Sequence, residues 1–306
     1  MASFIAARLL RILIIACAVV TVIFFLFKAV PGDQAALMAG PGATQSEIDA
    51  LRQQLGLDRP LVVQYVDYMA GLLQGNFGHS SLYHGSPLTQ ILSRLPATLT
   101  LTFAAILLTI AIGIPAGVTA AVFHGRAIDY AISLAVVALL SIPNFWIALV
   151  LISVLSVELQ ILPSFGFEGG WSLVMPTLAL AARLIALVAR MTRAIMLEEL
   201  NKDYVRTARA KGLGPWVVLT RHVLRNALIP TVTLIGLEAG YLLGGSIVIE
   251  RIFAWPGIGD LLINAIGVRD YNLVQGIVVI FVLGFLIINL IVDLLYAAIN
   301  PRLAVE

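Results

Sequence analysis

The residue patterns that do covalent or nucleotide chemistry are mostly missing from this sequence. The three lysines stand in "FKAV", "NKDY" and "AKGL". No Gly-x-x-x-x-Gly-Lys-Ser/Thr loop is therefore available to cradle phosphates. His-Glu-x-x-His and Gly-x-Ser-x-Gly do not occur, and His79, His84, His124 and His222 are scattered without metal-ligand spacing. Cys17 is the one cysteine, so an internal disulfide and a cysteine-based metal site are both excluded; it reads as a small residue in an apolar run. What remains is charge in unusual places. "YVRTARAKGLG", Tyr204 to Gly214, sets Arg206, Arg209 and Lys211, with Lys202 just before, among small residues. Arg183, Glu238 and Asp293 sit inside long apolar stretches. Charges so placed point to docking, ion pairing or a transport pathway rather than to bond-making.

The elements that position them follow from hydropathy. The chain has 306 residues, 60% of them hydrophobic and only 12% charged, too little polar surface for a soluble domain of that size. Several runs exceed the roughly 18 apolar residues needed to span a hydrocarbon core, and they are continuous rather than alternating, which disfavours a β-barrel. Six spans are expected, near 9–30, 97–123, 129–157, 171–196, 227–249 and 273–299. Pro115, Pro143 and Pro176 imply a kink or loosened turn where they fall. Arg8 and Arg11 before the first run resemble the start of a signal peptide, but the apolar run continues to about Phe27 and ends in "VIFFLF", with no small-x-small cleavage pattern directly before "KAVPGD", so an uncleaved first span is expected. With the N-terminus inside, twelve Lys and Arg fall in inner segments and five in outer ones. The positive-inside rule then puts both termini in the cytoplasm.

The fold expected is an all-α polytopic membrane protein with an extracytoplasmic helical cap, 31–96, between the first two spans. Ser46 followed by Asp49 reads as a helix start, with Ile48, Leu51 and Leu55 on one face and Gly56 as the stop. Pro60 opens a second helix with Leu61, Tyr65, Tyr68, Met69 and Leu72 on one face. The remainder divides into an N-terminal end with the first span (1–30), a five-helix core (97–299) and a short cytoplasmic tail (300–306).

The segment 197–227 is on the inner side. Glu198 and Glu199 early and Arg209 and Lys211 late suit one helix, Gly212 and Gly214 permit a left-handed turn, and Pro215 starts a second helix that runs to Pro230. One reading is an ordinary positive-inside loop lying on anionic lipid. The other is a docking element for a cytosolic protein. The interleaving of charge with Ala, Leu, Val and Trp216, and small residues at the bend, favour the second.

This segment resembles the cytoplasmic loop of membrane subunits of ABC importers, in which Glu-Ala-Ala is followed three residues later by Gly. Aligned on Gly212, this chain reads Arg206-Thr207-Ala208-x-x-x-Gly212. "DYVRTARAKGL" with "RHVLRNALIP" is similar to the version in the dipeptide/oligopeptide (peptide/nickel) permease branch, and most resembles its dipeptide permease B-type subunit. "GPGATQSEIDALRQQLGLDRPLVVQY", "SIPNFWIALVLI", "ERIFAWPGIGDLLINAIGVRDYNLVQG" and "NLIVDLLYAAINPR" carry the same resemblance, in order, along nearly the whole chain. It implies the six-helix type I importer fold in a bacterial inner membrane. It implies a coupling role for Arg206, Thr207, Ala208, Lys211, Gly212 and Leu213 in a cleft of an ATPase. The partners implied are a homologous second permease, two ATPase subunits or domains that carry ATP and Mg²⁺, and an extracytoplasmic solute-binding protein. No cofactor is expected on this chain, no catalytic site of its own, and no nucleic-acid partner.

Each permease must then supply half a pathway. Arg183 and Glu238 either pair with one another or a neighbouring subunit, or touch a peptide terminus. Asp293 reads as a structural contact, and Asn144, Asn264 and Asn289 are weaker candidates. Trp255, in the outer loop 250–270, is an interfacial anchor or part of an outer gate. A gradient-driven transporter or channel would call for paired intramembrane carboxylates, inverted repeats or helices broken at midplane; one intramembrane Glu and no visible repeat disfavour it. "GIGD" at Gly257–Asp260 imitates intramembrane aspartyl proteases, but a second carboxylate at the same depth is not in evidence. Short peptides are the expected cargo, with nickel, glutathione or haem as alternatives within the branch.

Overall fold

The computed structural model describes residues 2–29, 34–40, 42–80, 82–83, 85–167 and 169–299. The tail 300–306, His84 and the side chain of Asp293 lie outside the described residues. The described chain is helical: α1 (Ala2–Ala29), α2 (Gln34–Ala39), α3 (Gln45–Gln54), α4 (Leu61–Leu73), α5 (Pro87–Val122), α6 (Ala127–Ser141), α7 (Asn144–Leu151), α8 (Val174–Leu200), α9 (Asp203–Ala210), α10 (Pro215–Val217), α11 (Leu224–Ile252), α12 (Ile258–Gly267) and α13 (Tyr271–Ile299). A wide π-helical turn extends α7 over Ile152–Glu158, another joins α10 to α11 over Val218–Val223, and a 3₁₀ turn, Gly170–Leu173, leads into α8.

Five helical segments are long and apolar enough to cross a membrane, and a sixth forms if α6 and α7 are counted together. The third expected span is thus broken. Its two halves meet at 104° around Ile142 and Pro143. Pro143 caps α7 with extended backbone, and Ile142 before it is also extended, which a residue ahead of proline prefers. Elsewhere proline is absorbed. α5 runs through Pro115, and α11 runs through Pro230, where the sequence predicted an end. Pro230 lies in a segment whose apolar surroundings favour helix regardless of one missing hydrogen bond.

The chain divides into two compact units, Met1–Pro96 with Gly257–Leu286, and Ala97–Pro256 with Ile287–Glu306. In the first, Val20 and Ile23 of α1 bury against Val279 of α13, with Tyr68, Met69, Leu72 and Phe77 packed around them. α3 starts earlier than predicted. Thr44 is the cap, and its N–H donates to Glu47 Oε2 at 2.7 Å while Glu47 N–H donates to Thr44 O at 3.1 Å. The Thr-x-x-Glu spacing closes this box, which Ser46 and Asp49 do not. Asp270, almost fully buried, gathers the loop before α5 onto the start of α13: Ser80 Oγ donates to it at 2.6 Å, Leu82 N–H at 3.0 Å and Leu273 N–H at 3.1 Å.

In the second unit α8 is the central helix and the most buried of the spans, packed by α6, α7 and α11. Leu101, Met175, Leu180, Leu184, Val188 and Ile249 form its core. Without a hydrophobic drive between helices in lipid, close backbone approach has to hold them together. Gly113 and Gly117 of α5, four apart, supply it. A Cβ at Gly117 would stand 2.5 Å from Ala189 O and 2.6 Å from Thr192 Cβ. Gly117→Leu is expected to lower stability by roughly 1–3 kcal/mol or more through overpacking, whereas Gly244→Ala, with nothing within 4 Å of a Cβ, should be neutral or stabilising. Thermal unfolding of the two purified variants in one detergent checks this; equal midpoints would contradict the α5–α8 contact.

Candidate functional site

The basic segment is built on a buried seat. α8 ends at Leu200, and α9 is a separate short helix begun by Lys202. Glu198 and Glu199 therefore close α8 and do not open the basic helix, contrary to the sequence expectation. The reason is local: Asn201 turns the chain, and Lys202 is extended, which breaks the helical run. Val205 and Ala208 of α9 point inward, onto Met196, Val218, Leu219, Val223 and Ala227. The other face is open. Arg206, Thr207, Arg209, Lys211, Gly212 and Leu213 are all exposed, and Trp216 is 73% exposed. Of the six residues that the importer resemblance assigns to coupling, five are thus presented outward. Ala208 is turned the other way and serves to seat the helix.

The bend is a tight one. Leu213 N–H donates to Ala208 O at 3.3 Å and Gly212 N–H to Arg209 O at 3.0 Å. Gly212 has φ +80°, a conformation that side chains resist, with open space around it. Gly214 has φ −61° and no left-handed role; it precedes Pro215, the first residue of α10.

A polar hub that the sequence did not disclose locks this element down. Glu199 is buried, takes a hydrogen bond from Tyr204 Oη at 2.5 Å, and pairs with Lys202. The Glu199 carboxylate raises Lys202 above the usual lysine value. Burial, and then the same carboxylate, raises the Tyr204 phenol above the usual tyrosine value. A second hub fixes the turn between α5 and α6 to α8. Arg193 donates to both oxygens of buried Asp129, at 2.6 and 2.8 Å, and Gly125 N–H and His124 Nδ1 each lie 3.0 Å from Asp129 Oδ2. The i,i+3 spacing of Glu199 and Lys202 is visible in the sequence, but no spacing signals the Asp129–Arg193 hub, which joins residues on distant elements.

Arg183 of α8 and Glu238 of α11 meet. Nη1 stands 3.4 Å from Oε2, so the expected mutual pairing is present. Their depths agree when the 3₁₀ turn is counted with α8: Arg183 lies about 20 Å from Gly170, where that span begins, and Glu238 about 21 Å from Ile252, the end of α11, at 1.5 Å per residue. The pair is loose, with the Arg183 side chain 56% exposed and Glu238 20% exposed. A guanidinium this open at mid-span must face a water-filled space or another chain, since lipid would make it costly. Asn144 leaves Oδ1 buried without a protein partner at the α6–α7 break. Trp255 is only 2% exposed. Its indole N–H donates to Ala97 O at 2.9 Å, and its ring meets Phe167 edge-on at 4.7 Å. It is enclosed by protein and does not reach out as an interfacial anchor would. The "GIGD" aspartate, Asp260, accepts from Asn264 Nδ2 at 3.1 Å on α12.

A multi-helix membrane core that displays a seated basic element at one end and holds a charge pair at mid-depth matches one class of protein. The chain belongs to the inner-membrane components of binding-protein-dependent transport systems, matching that family over residues 113–305 and its N-terminal companion over 1–102. It is an ABC importer permease subunit, a multi-pass protein of a family that resides in the bacterial inner membrane. Glutathione transport system permease proteins GsiC of Escherichia coli K12 and Shigella dysenteriae are each 45% identical to it over 305 residues, 99% of both chains. Among solved structures, the inward-facing MetNI methionine ABC transporter aligns with a TM-score of 0.59 at 23% identity, covering 70% of this chain and 97% of that one. An amino acid ABC transporter aligns at 0.54 and 19%, covering 69% and 94%. At these identities the structures establish the fold, that of type I importer permeases.

Loss of the Glu199 hub should free the basic element without unfolding the spans. Glu199→Ala removes the acceptor of Tyr204 and leaves Lys202 only its 3.4 Å pairing with Glu198; loss of the buried Tyr204 bond is expected to cost about 1–3 kcal/mol locally, read as lost hydrogen-exchange protection over 203–210 with α8 unchanged. The pH sign follows from two raised values. The contribution of Lys202 and Tyr204 is complete below their ordinary values and is lost as pH rises through the raised ones. Protease cleavage within 203–216 should therefore stay flat from neutral pH to about 10 and increase beyond it; an increase below pH 9 would sink the assignment.

Proposed function

We propose that this chain is the B-type half of a heterodimeric permease that imports short peptides, with glutathione-like tripeptides the first cargo to test. The observation that carries the coupling part is the exposed rim Arg206–Leu213 on a buried seat. Five outward residues, one of them a left-handed glycine, make a compact knob, and Val205 and Ala208 tie that knob to α8 and α11, the helices that hold the charge pair. In this reading an ATPase cleft receives the knob. ATP and Mg²⁺ bind on that partner, and closure of two ATPase subunits or domains displaces α8 and α11 together. This chain contributes force transmission and half of the pathway, with no catalysis of its own.

The cargo reading is supported by identity along the whole chain to permeases named for glutathione transport, and by charges at mid-depth that suit a zwitterion. Arg183 offers a cation to a peptide carboxylate and Glu238 an anion to its ammonium. Each charge would exchange its partner for the substrate as the peptide passes. Trp255, pinned to Ala97 O, helps close the outer end. A solute-binding protein delivers the peptide there, both termini lie in the cytoplasm, and a homologous second permease completes the pathway.

Two measurements test this. Gly212→Glu and Arg206→Glu should abolish uptake, with insertion and pairing to the second permease intact; normal uptake would remove the coupling assignment. Purified with its co-isolating subunits and reconstituted, the complex should show ATP hydrolysis stimulated by a binding protein loaded with glutathione or a dipeptide. Arg183→Ala should lower transport at least about tenfold, the equivalent of 1.4 kcal/mol, and leave ATPase coupling in place. Transport without ATP by the chain alone would instead mark a gradient-driven carrier.

A further inference from the structure

The sequence places α4 in a cap outside the membrane, but its contacts with α1 put it lower. Tyr65 Oη lies 2.7 Å from Thr21 Oγ1, and the Tyr65 ring meets Phe24 at 5.4 Å and Phe25 at 6.0 Å. Thr21 is eight residues short of Ala29, the end of the apolar α1 segment. At 1.5 Å per residue that is about 12 Å inside the end of the span, and Phe25 is about 6 Å inside. Lys28, at the end of α1, donates to Gln64 Oε1 at 2.6 Å. These contacts fix how α4 is rolled. Its Gln64 edge faces the end of α1, and its Tyr65 edge faces α1 itself.

The remaining edge looks back along α1 toward the membrane interior. At 3.6 residues per turn, Val62, Val66 and Leu73 fall within about 40° of arc and lie roughly 180° from Gln64. They are 74%, 57% and 89% exposed. The opposite edge is polar: Lys28, Gln64, Asp67 and Asn76 line a cleft of about 270 Å³. On α1, Val22 and Leu26 are likewise exposed. Tyr65 and Tyr68 sit between the two edges, at the level that aromatic rings favour in a bilayer.

We propose that α4 is an interfacial membrane helix, with Val62, Val66 and Leu73 immersed in phospholipid acyl chains of the leaflet at the C-terminal end of α1 and its Gln64–Asp67 edge in water. The helix lies across the flank of α1 and does not span. It widens the apolar collar of this half of the permease at the membrane surface, as amphipathic surface helices do. The occupant of the edge is lipid rather than a protein partner, because the edge points to the depth at which α1 itself is lipid-facing.

The test uses the full chain with its co-purifying subunits, in vesicles of phosphatidylethanolamine and phosphatidylglycerol. Cys17 is first replaced by Ala, since it is exposed. Spin labels on Val62→Cys, Val66→Cys and Leu73→Cys should collide with oxygen several-fold more, relative to a water-soluble nickel chelate, than a label on Asp67→Cys. They should match a label on Val22→Cys. A ratio equal to that of Asp67→Cys would place the edge in water and overturn the proposal. Low collision with both reagents would mean protein covers the edge, and would overturn it equally. Should labelling disturb assembly, Val66→Trp in an unlabelled chain gives a second reading: brominated acyl chains should quench its fluorescence, and absence of quenching refutes the lipid contact.

Discussion

In hydrocarbon a polar group has no water to return to, so each one must find a partner within the protein or sit where water enters. The helices of this permease are arranged around that need. Glu250, fully buried, takes the Thr98 hydroxyl at 2.8 Å and the Ser246 hydroxyl at 3.0 Å. Trp255 turns its one donor to a backbone carbonyl. Thr109 and Thr231 return their hydroxyls to carbonyls one turn back. Charges that cannot be hidden are gathered toward the helix ends, as Asp129–Arg193 and Glu199–Lys202 are. The mid-depth pair of Arg183 and Glu238 is the exception. Its openness sets it apart from the buried charges around it.

The same constraint shapes how the basic element is seated. An exposed loop of basic residues would move independently of the spans. Here α9 is driven into its seat by Val205 and Ala208, and held at its start by a buried carboxylate. In the coupling we propose, displacement of the knob reaches α8 and α11 through these contacts. The second hub, Asp129 with Arg193, ties the neighbouring turn to the same helix. α8 thus carries both attachments near one end and the charge pair in its middle.

Much of this was legible in the sequence because apolar runs and caps are local signals. The spans, the Pro60-led helix with Tyr65, Tyr68, Met69 and Leu72 on its packed face, and the Gly212 bend all depend on neighbours within a few positions. What escaped depends on distant ones. Pro143 announced a kink, yet the angle between α6 and α7 is set by what each half packs on. Pro230 suggested a helix end that its surroundings overrule. The inward turn of Ala208 required knowing where Val218 and Val223 would lie. Arg193 read as one more inner positive charge until Asp129 was placed beside it. Trp255 looked like a surface aromatic because the carbonyl of Ala97 that receives it is far away in sequence.

The wide turn between the knob and α11 carries a further consequence. A π-helical turn holds one residue more than its α-helical counterpart, so everything after it is rotated by about 100° relative to an uninterrupted helix. Residues Val218–Val223 stand upstream of Glu238 on the same continuous rod. The azimuth at which Glu238 confronts Arg183 is therefore set by a single supernumerary residue next to the basic element. In gearing terms, the helix is keyed: the teeth at mid-membrane mesh only because the shaft was indexed one notch over before it entered the bilayer.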